Sequence, residues 1–61
     1  MNKQELIEQR NRLYERRNSV VSQFEDATDD EVKQVLNNLW NDLTFKIKRV
    51  NRRLVLLETM A

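Results

Sequence analysis

The chain contains no glycine, proline, cysteine or histidine. Primed hairpin turns, phosphate-cradling loops and most all-β architectures need residues that tolerate positive φ or hold φ near about −65°, so they are excluded. Without His or Cys the usual proton shuttles, thiol nucleophiles and soft metal ligands are missing. The expectation is a non-enzymatic protein with no cofactor and no metal. No apolar run reaches the ~18 residues of a membrane span and no apolar signal segment opens the chain, so a cytoplasmic protein is expected.

What remains is 61 residues, 39% hydrophobic and 34% charged, with 11 basic against 10 acidic groups. That is one domain over 1–61, all-α. A core of this size rarely supplies more than ~3–5 kcal/mol, and no disulfide can reinforce it, so self-association is the expected support.

Apolar residues of the first half fall at Leu6, Ile7, Leu13, Tyr14, Val20, Val21 and Phe24, adjacent pairs that recur every seven positions and so form one helical stripe. Asn2 is a candidate N-cap with Glu5 three residues on, and Met1 and Leu6 fit a hydrophobic staple. Helix 1 is predicted over about 3–24. Next comes Glu25-Asp26-Ala27-Thr28-Asp29-Asp30-Glu31, where Thr28 and Glu31 form a T-x-x-E capping box and predict a second helix over about 29–60. Within it Leu36, Trp40, Leu43, Ile47, Val50, Leu54 and Leu57 alternate spacings of four and three, a coiled-coil-like seam.

Folding the helices back about the tip pairs Phe24 with Val32, Val20 with Leu36, Leu13 with Leu43 and Leu6 with Val50. Beyond Val50 the longer helix then has no partner in the chain, although Leu54, Val55, Leu56, Leu57 and Met60 lie there. An apolar overhang of that kind calls for cover. Two hairpins forming an antiparallel four-helix bundle would supply it, with dimer packing expected at Leu36, Leu39, Trp40, Leu43, Ile47, Val50 and Leu54.

Charge is segregated: residues 1–24 carry five basic and three acidic groups, 25–31 five acidic, and 32–61 six basic and two acidic. The hairpin is thus a bar with an acidic tip and a basic open end. Arg10 and Arg17 lie at the centre of helix 1's apolar stripe, with Lys3 in the same register. They would either meet carboxylates of a second chain, Asp42 being one candidate, or snorkel along the bundle edge. On helix 2, Phe45, Arg49, Arg52 and Leu56 share the face opposite the seam, a basic-aromatic surface suited to phosphates, an anionic membrane surface or a protein partner. The acidic tip reads as helix capping or as a divalent-cation site without EF-hand spacing.

From Thr28-x-x-Glu31-Val32 through Val35-Leu36, Leu39-Trp40 and Leu43, the second half resembles the centre of NblA, the small phycobilisome-degradation adaptors. Their capping box and apolar pairs follow the same register, with Val50 and Leu54 where that family keeps a Tyr and a Leu. The resemblance implies a hairpin that dimerises into a four-helix bundle, packs through Leu36, Leu39, Trp40 and Leu43, touches a phycobiliprotein near Arg53 and Leu54, and recruits a Clp-type protease. Helix 1 departs from the family: its Leu/Glu/Gln/Phe opening is absent, and Arg17 stands at an apolar position. The chain is also similar to Rop, an RNA-binding four-helix dimer with an acidic, Asp-Ala-rich tip, where Arg10, Arg12, Arg16 and Arg17 would form the nucleic-acid face.

The reading reached is an interaction protein, adaptor or inhibitor, that docks on a larger protein complex through Phe45, Arg49, Arg52, Arg53, Leu56 and Leu57. Small size and an Asn-rich, Gly-free composition fit a phage or mobile-element product. A dimeric RNA- or DNA-binding regulator is the alternative.

Overall fold

The computed structural model describes residues 2–60, which form two α-helices, α1 over Lys3–Asp26 and α2 over Asp30–Met60, packed antiparallel as a hairpin. The all-α hairpin predicted from periodicity is the fold. At about 1.5 Å per residue the helices are roughly 36 and 46 Å long, and the Cα envelope measures 48 × 14 × 14 Å.

α1 begins as its sequence dictates. The Asn2 side chain accepts from the Glu5 amide at 2.9 Å and donates to Glu5 Oε1 at 3.2 Å, satisfying an N–H with no partner inside the helix. Met1, the other half of the expected staple, lies outside the described residues. α1 ends at Asp26 and is capped by Ala27, whose extended backbone (φ −72°, ψ 136°) still lets its N–H reach Phe24 O at 3.3 Å. A chain without glycine thus leaves the helix through the β region, and no described residue has positive φ.

The cap of α2 is a correction to the sequence reading. The Glu31 amide, which a Thr28 cap would use, donates instead to Asp29 Oδ1 at 2.8 Å. The Val32 amide reaches the same oxygen at 3.2 Å, and Asp29 O takes the first backbone bond of the helix, from Lys33 at 3.0 Å. Asp29 therefore fills the capping position one residue later than Thr28 would. A carboxylate there also meets the positive helix terminus, an advantage a threonine hydroxyl lacks.

The core is a single seam of Leu6, Leu13 and Val20 from α1 against Leu36, Leu43, Ile47, Val50 and Leu54 from α2. Leu43 is 1% exposed and Leu54 6%. Three cross-helix contacts mark the register: Lys3 Nζ to Glu58 Oε1 at 3.7 Å, Arg10 Nη1 to Asn51 Oδ1 at 3.5 Å, and Arg17 Nη1 to Thr44 Oγ1 at 3.2 Å. Each step is seven residues on both helices.

This register overturns the expected overhang. α1 is displaced by roughly five residues, about 7 Å, toward the open end relative to a tight fold about the tip, so its first turn lies beside Glu58. Leu54, expected to project beyond α1, is core. The extra length of α2 falls at the connector instead, where Val32 and Val35 are exposed. Residues 27–29 make this possible because an extended connector spans a longitudinal step that a tight turn does not.

Candidate interaction surfaces

Three surfaces flank the seam. On one side runs the polar ladder. The Arg17 guanidinium carbon lies 5.2 Å from the centroid of Tyr14 and 5.4 Å from that of Trp40, so the cation sits between two aromatic faces while Nη1 holds Thr44. One heptad along, Arg10 makes its long bond to Asn51, and its Nε is buried with no hydrogen-bond partner. Next to Arg17, toward the connector, Val20, Val21, Phe24, Leu36, Asn37 and Trp40 line an open groove of about 180 Å³. Both arginines are half-buried, and both engage neutral partners across the hairpin. Within the chain Asp42, the carboxylate expected to reach them from a second copy, pairs along α2 with Lys46 at 3.1 Å.

The opposite flank holds a groove of about 260 Å³ over Leu13 and Val50, rimmed by Gln9, Lys46, Arg49 and Arg53. Toward the open end, Leu6, Arg53, Leu56, Leu57 and Met60 line a third groove of about 230 Å³. Arg53 stands at the junction of the two.

The third surface is the outer face of α2. Phe45 is 62% exposed and Leu56 53%, with Arg49 and Arg52 exposed between them. Among the described residues the ion pairs are Lys3–Glu58 and Asp42–Lys46, so Arg49, Arg52 and Arg53 are unneutralised. Of the six residues singled out for partner contact, Phe45, Arg49, Arg52 and Leu56 share this face. Arg53 leans to the groove edge, and Leu57 packs against the core from a half-buried position.

The dimer-packing set divides differently. Leu36, Leu43, Ile47, Val50 and Leu54 are consumed by α1–α2 packing inside one chain. Leu39 is exposed and Trp40 half-buried, so these two keep open surface. The four arginines proposed as a nucleic-acid face are not brought together. Arg10 and Arg17 lie on the ladder flank, whereas Arg12 and Arg16 are exposed and stand at heptad positions away from it.

No family model, curated protein or solved structure matches this chain. The surfaces therefore speak through their chemistry alone. No group of acidic side chains converges as a metal site among the described residues, and the acidic tip serves capping through Asp29. No described helix is long and apolar enough to cross a membrane.

The feature that sequence reasoning missed is the ladder. Its signal was present: Lys3, Arg10 and Arg17 recur every seven residues on α1, and Thr44, Asn51 and Glu58 do so on α2. Two polar heptad series of opposite direction can align in few ways, whereas apolar heptads alone slide by a turn at little cost.

Proposed function

We propose that this hairpin is a non-enzymatic interaction module, an adaptor or inhibitor, that docks on a larger protein through the outer face of the C-terminal half of α2. The supporting observation is the interleaving of exposed Phe45 and Leu56 with Arg49, Arg52 and Arg53, none of them ion-paired among the described residues. Protein interfaces concentrate their binding energy in aromatic and arginine side chains, and an exposed phenylalanine followed along the same face by two arginines matches that chemistry. A partner surface that is acidic with an apolar centre fits it best. An NblA-like adaptor is the specific form favoured by the resemblance of residues 28–54.

The rival is a Rop-like nucleic-acid binder, supported by the three cations around the Gln9 groove. Salt separates them. A protein making several phosphate contacts loses about 10³-fold or more in affinity between ~50 and ~200 mM salt, whereas apolar docking persists. In capture on the immobilised full chain, the expected result is a protein retained across that range and lost with Phe45→Asp and with Leu56→Asp, both folded by circular dichroism. Retention of nucleic acid alone, released by salt, overturns the proposal.

A further inference from the structure

The ladder flank combines features that a solvated helix surface does not need. Arg10 and Arg17 are half-buried, sit one heptad apart, and are each held by one neutral acceptor, Asn51 and Thr44. A guanidinium carries five donors in a planar fork, and a charge withdrawn from water is balanced by a carboxylate far better than by an amide or hydroxyl oxygen. Among the described residues no carboxylate meets either arginine, Glu58, the one in the ladder, is taken by Lys3, and Arg10 Nε is buried without an acceptor. Beside these cations lies the apolar groove of Val20, Val21, Phe24 and Trp40.

We propose that this flank binds one amphipathic helix of a partner protein, apolar along the centre of its contact face and carrying carboxylates at seven-residue intervals. The spacing follows from the ladder: seven residues are about 10.5 Å along a helix, so a third helix laid along the hairpin with one acidic residue per heptad presents one of them to Arg10 and the next to Arg17. Its apolar residues fill the groove beside Phe24 and Trp40, and the two aromatic faces hold the Arg17 guanidinium in place to receive the carboxylate. A nucleic acid would meet the arginines but not the groove. A second copy would bring the groove residues, but two ladder flanks meeting face to face would set Arg10 and Arg17 of one chain against the same cations of the other. Like charges brought together in that way cost several-fold to many-fold in affinity.

Trp40, the only tryptophan in the chain, reports on this flank directly. The probes are a blocked helical peptide with leucines at coiled-coil positions and one Glu per heptad, and its twin with Lys for Glu. With the full-length chain, the Glu peptide is expected to shift Trp40 emission saturably to the blue, and the Lys twin to bind at least ~10-fold more weakly. Arg10→Glu with Arg17→Glu should invert that order. Arg12→Glu with Arg16→Glu changes net charge equally away from the ladder and should leave it unchanged. Phe45→Asp should also leave it unchanged, which separates this site from docking through the outer face of α2. If the double variant at the ladder does not fold, Arg10→Glu alone should still narrow the preference. Equal binding of the two peptides, or no emission change with either, overturns the proposal. So does sedimentation showing a dimer whose Trp40 is already shielded, which would give the flank to a second copy.

Discussion

A single acceptor oxygen decides where α2 begins. Thr28 and Asp29 both have the side-chain chemistry of a cap, and the T-x-x-E pattern favours the first, but the structure gives both the Glu31 and Val32 amides to Asp29. Asp29→Ala should therefore cost about 1 kcal/mol, within the usual range for losing a cap, while Thr28→Ala should stay within about 0.5 kcal/mol. Urea denaturation of the two variants checks this, and equal losses would restore Thr28 as the cap. Sequence alone could not separate adjacent capping residues, because the choice depends on how the connector leaves α1. The start of α1 was legible since Asn2 has no competing neighbour at the right spacing. Arg17 is the other residue whose role needed coordinates. Its position in the apolar stripe was readable, but not the pair of rings that hold it. Arg17→Ala should destabilise the hairpin by about 1 kcal/mol through the lost cation–π and stem contacts, and exposed Arg12→Ala by less than about 0.5 kcal/mol. The same denaturation series reads both.

At the level of helices, the elements and their faces were legible and their relative register was not. Seven-residue repeats of apolar pairs specify two amphipathic helices and name the core, and Leu6, Leu13, Val20, Leu36, Leu43, Ile47, Val50 and Leu54 are buried as that pattern requires. The same repeats leave sliding by a turn nearly degenerate, so the register rests on the polar ladder and on the extended connector at Ala27. The consequence is testable at Leu54. Held in the core against α1, it should behave like Leu43: Leu54→Ala and Leu43→Ala should each cost about 2–5 kcal/mol. Val55, one residue on but 61% exposed, should tolerate Val55→Ala within about 0.5 kcal/mol. Denaturant midpoints measure the three. If Leu54→Ala were as mild as Val55→Ala, α1 would not reach the end of α2.

The whole molecule is a thin bar, and its shape bears on what it needs. Its Cα radius of gyration is 14.3 Å, against about 10.5 Å for a compact domain of this length. It exposes 4978 Å², whereas a compact chain of this mass exposes about 4,200 Å². The excess, roughly 800 Å², is about what one partner buries in a standard interface. Exposed Phe24, Val35, Phe45, Leu56 and Met60 supply the apolar part of that excess on both ends of the bar. The area alone is satisfied equally by a second copy and by another protein. Charge favours another protein at these two surfaces, because the outer face of α2 and the ladder flank are both cationic and neither pairs with its own copy; the attraction open to a second chain is that of the acidic tip, residues 25–31, for the basic open end. A dimer coupled to folding gains stability with concentration, and a 50-fold increase would raise the thermal midpoint by about 10 °C for a chain this small. The expectation here is a midpoint unchanged between ~10 and ~500 µM chain in circular dichroism melts, with a rise produced by an acidic amphipathic helix at concentrations well above its dissociation constant. A midpoint that climbs with chain concentration alone would mean that the hairpin covers its own apolar faces in a four-helix dimer, in which the buried arginines tolerate one another.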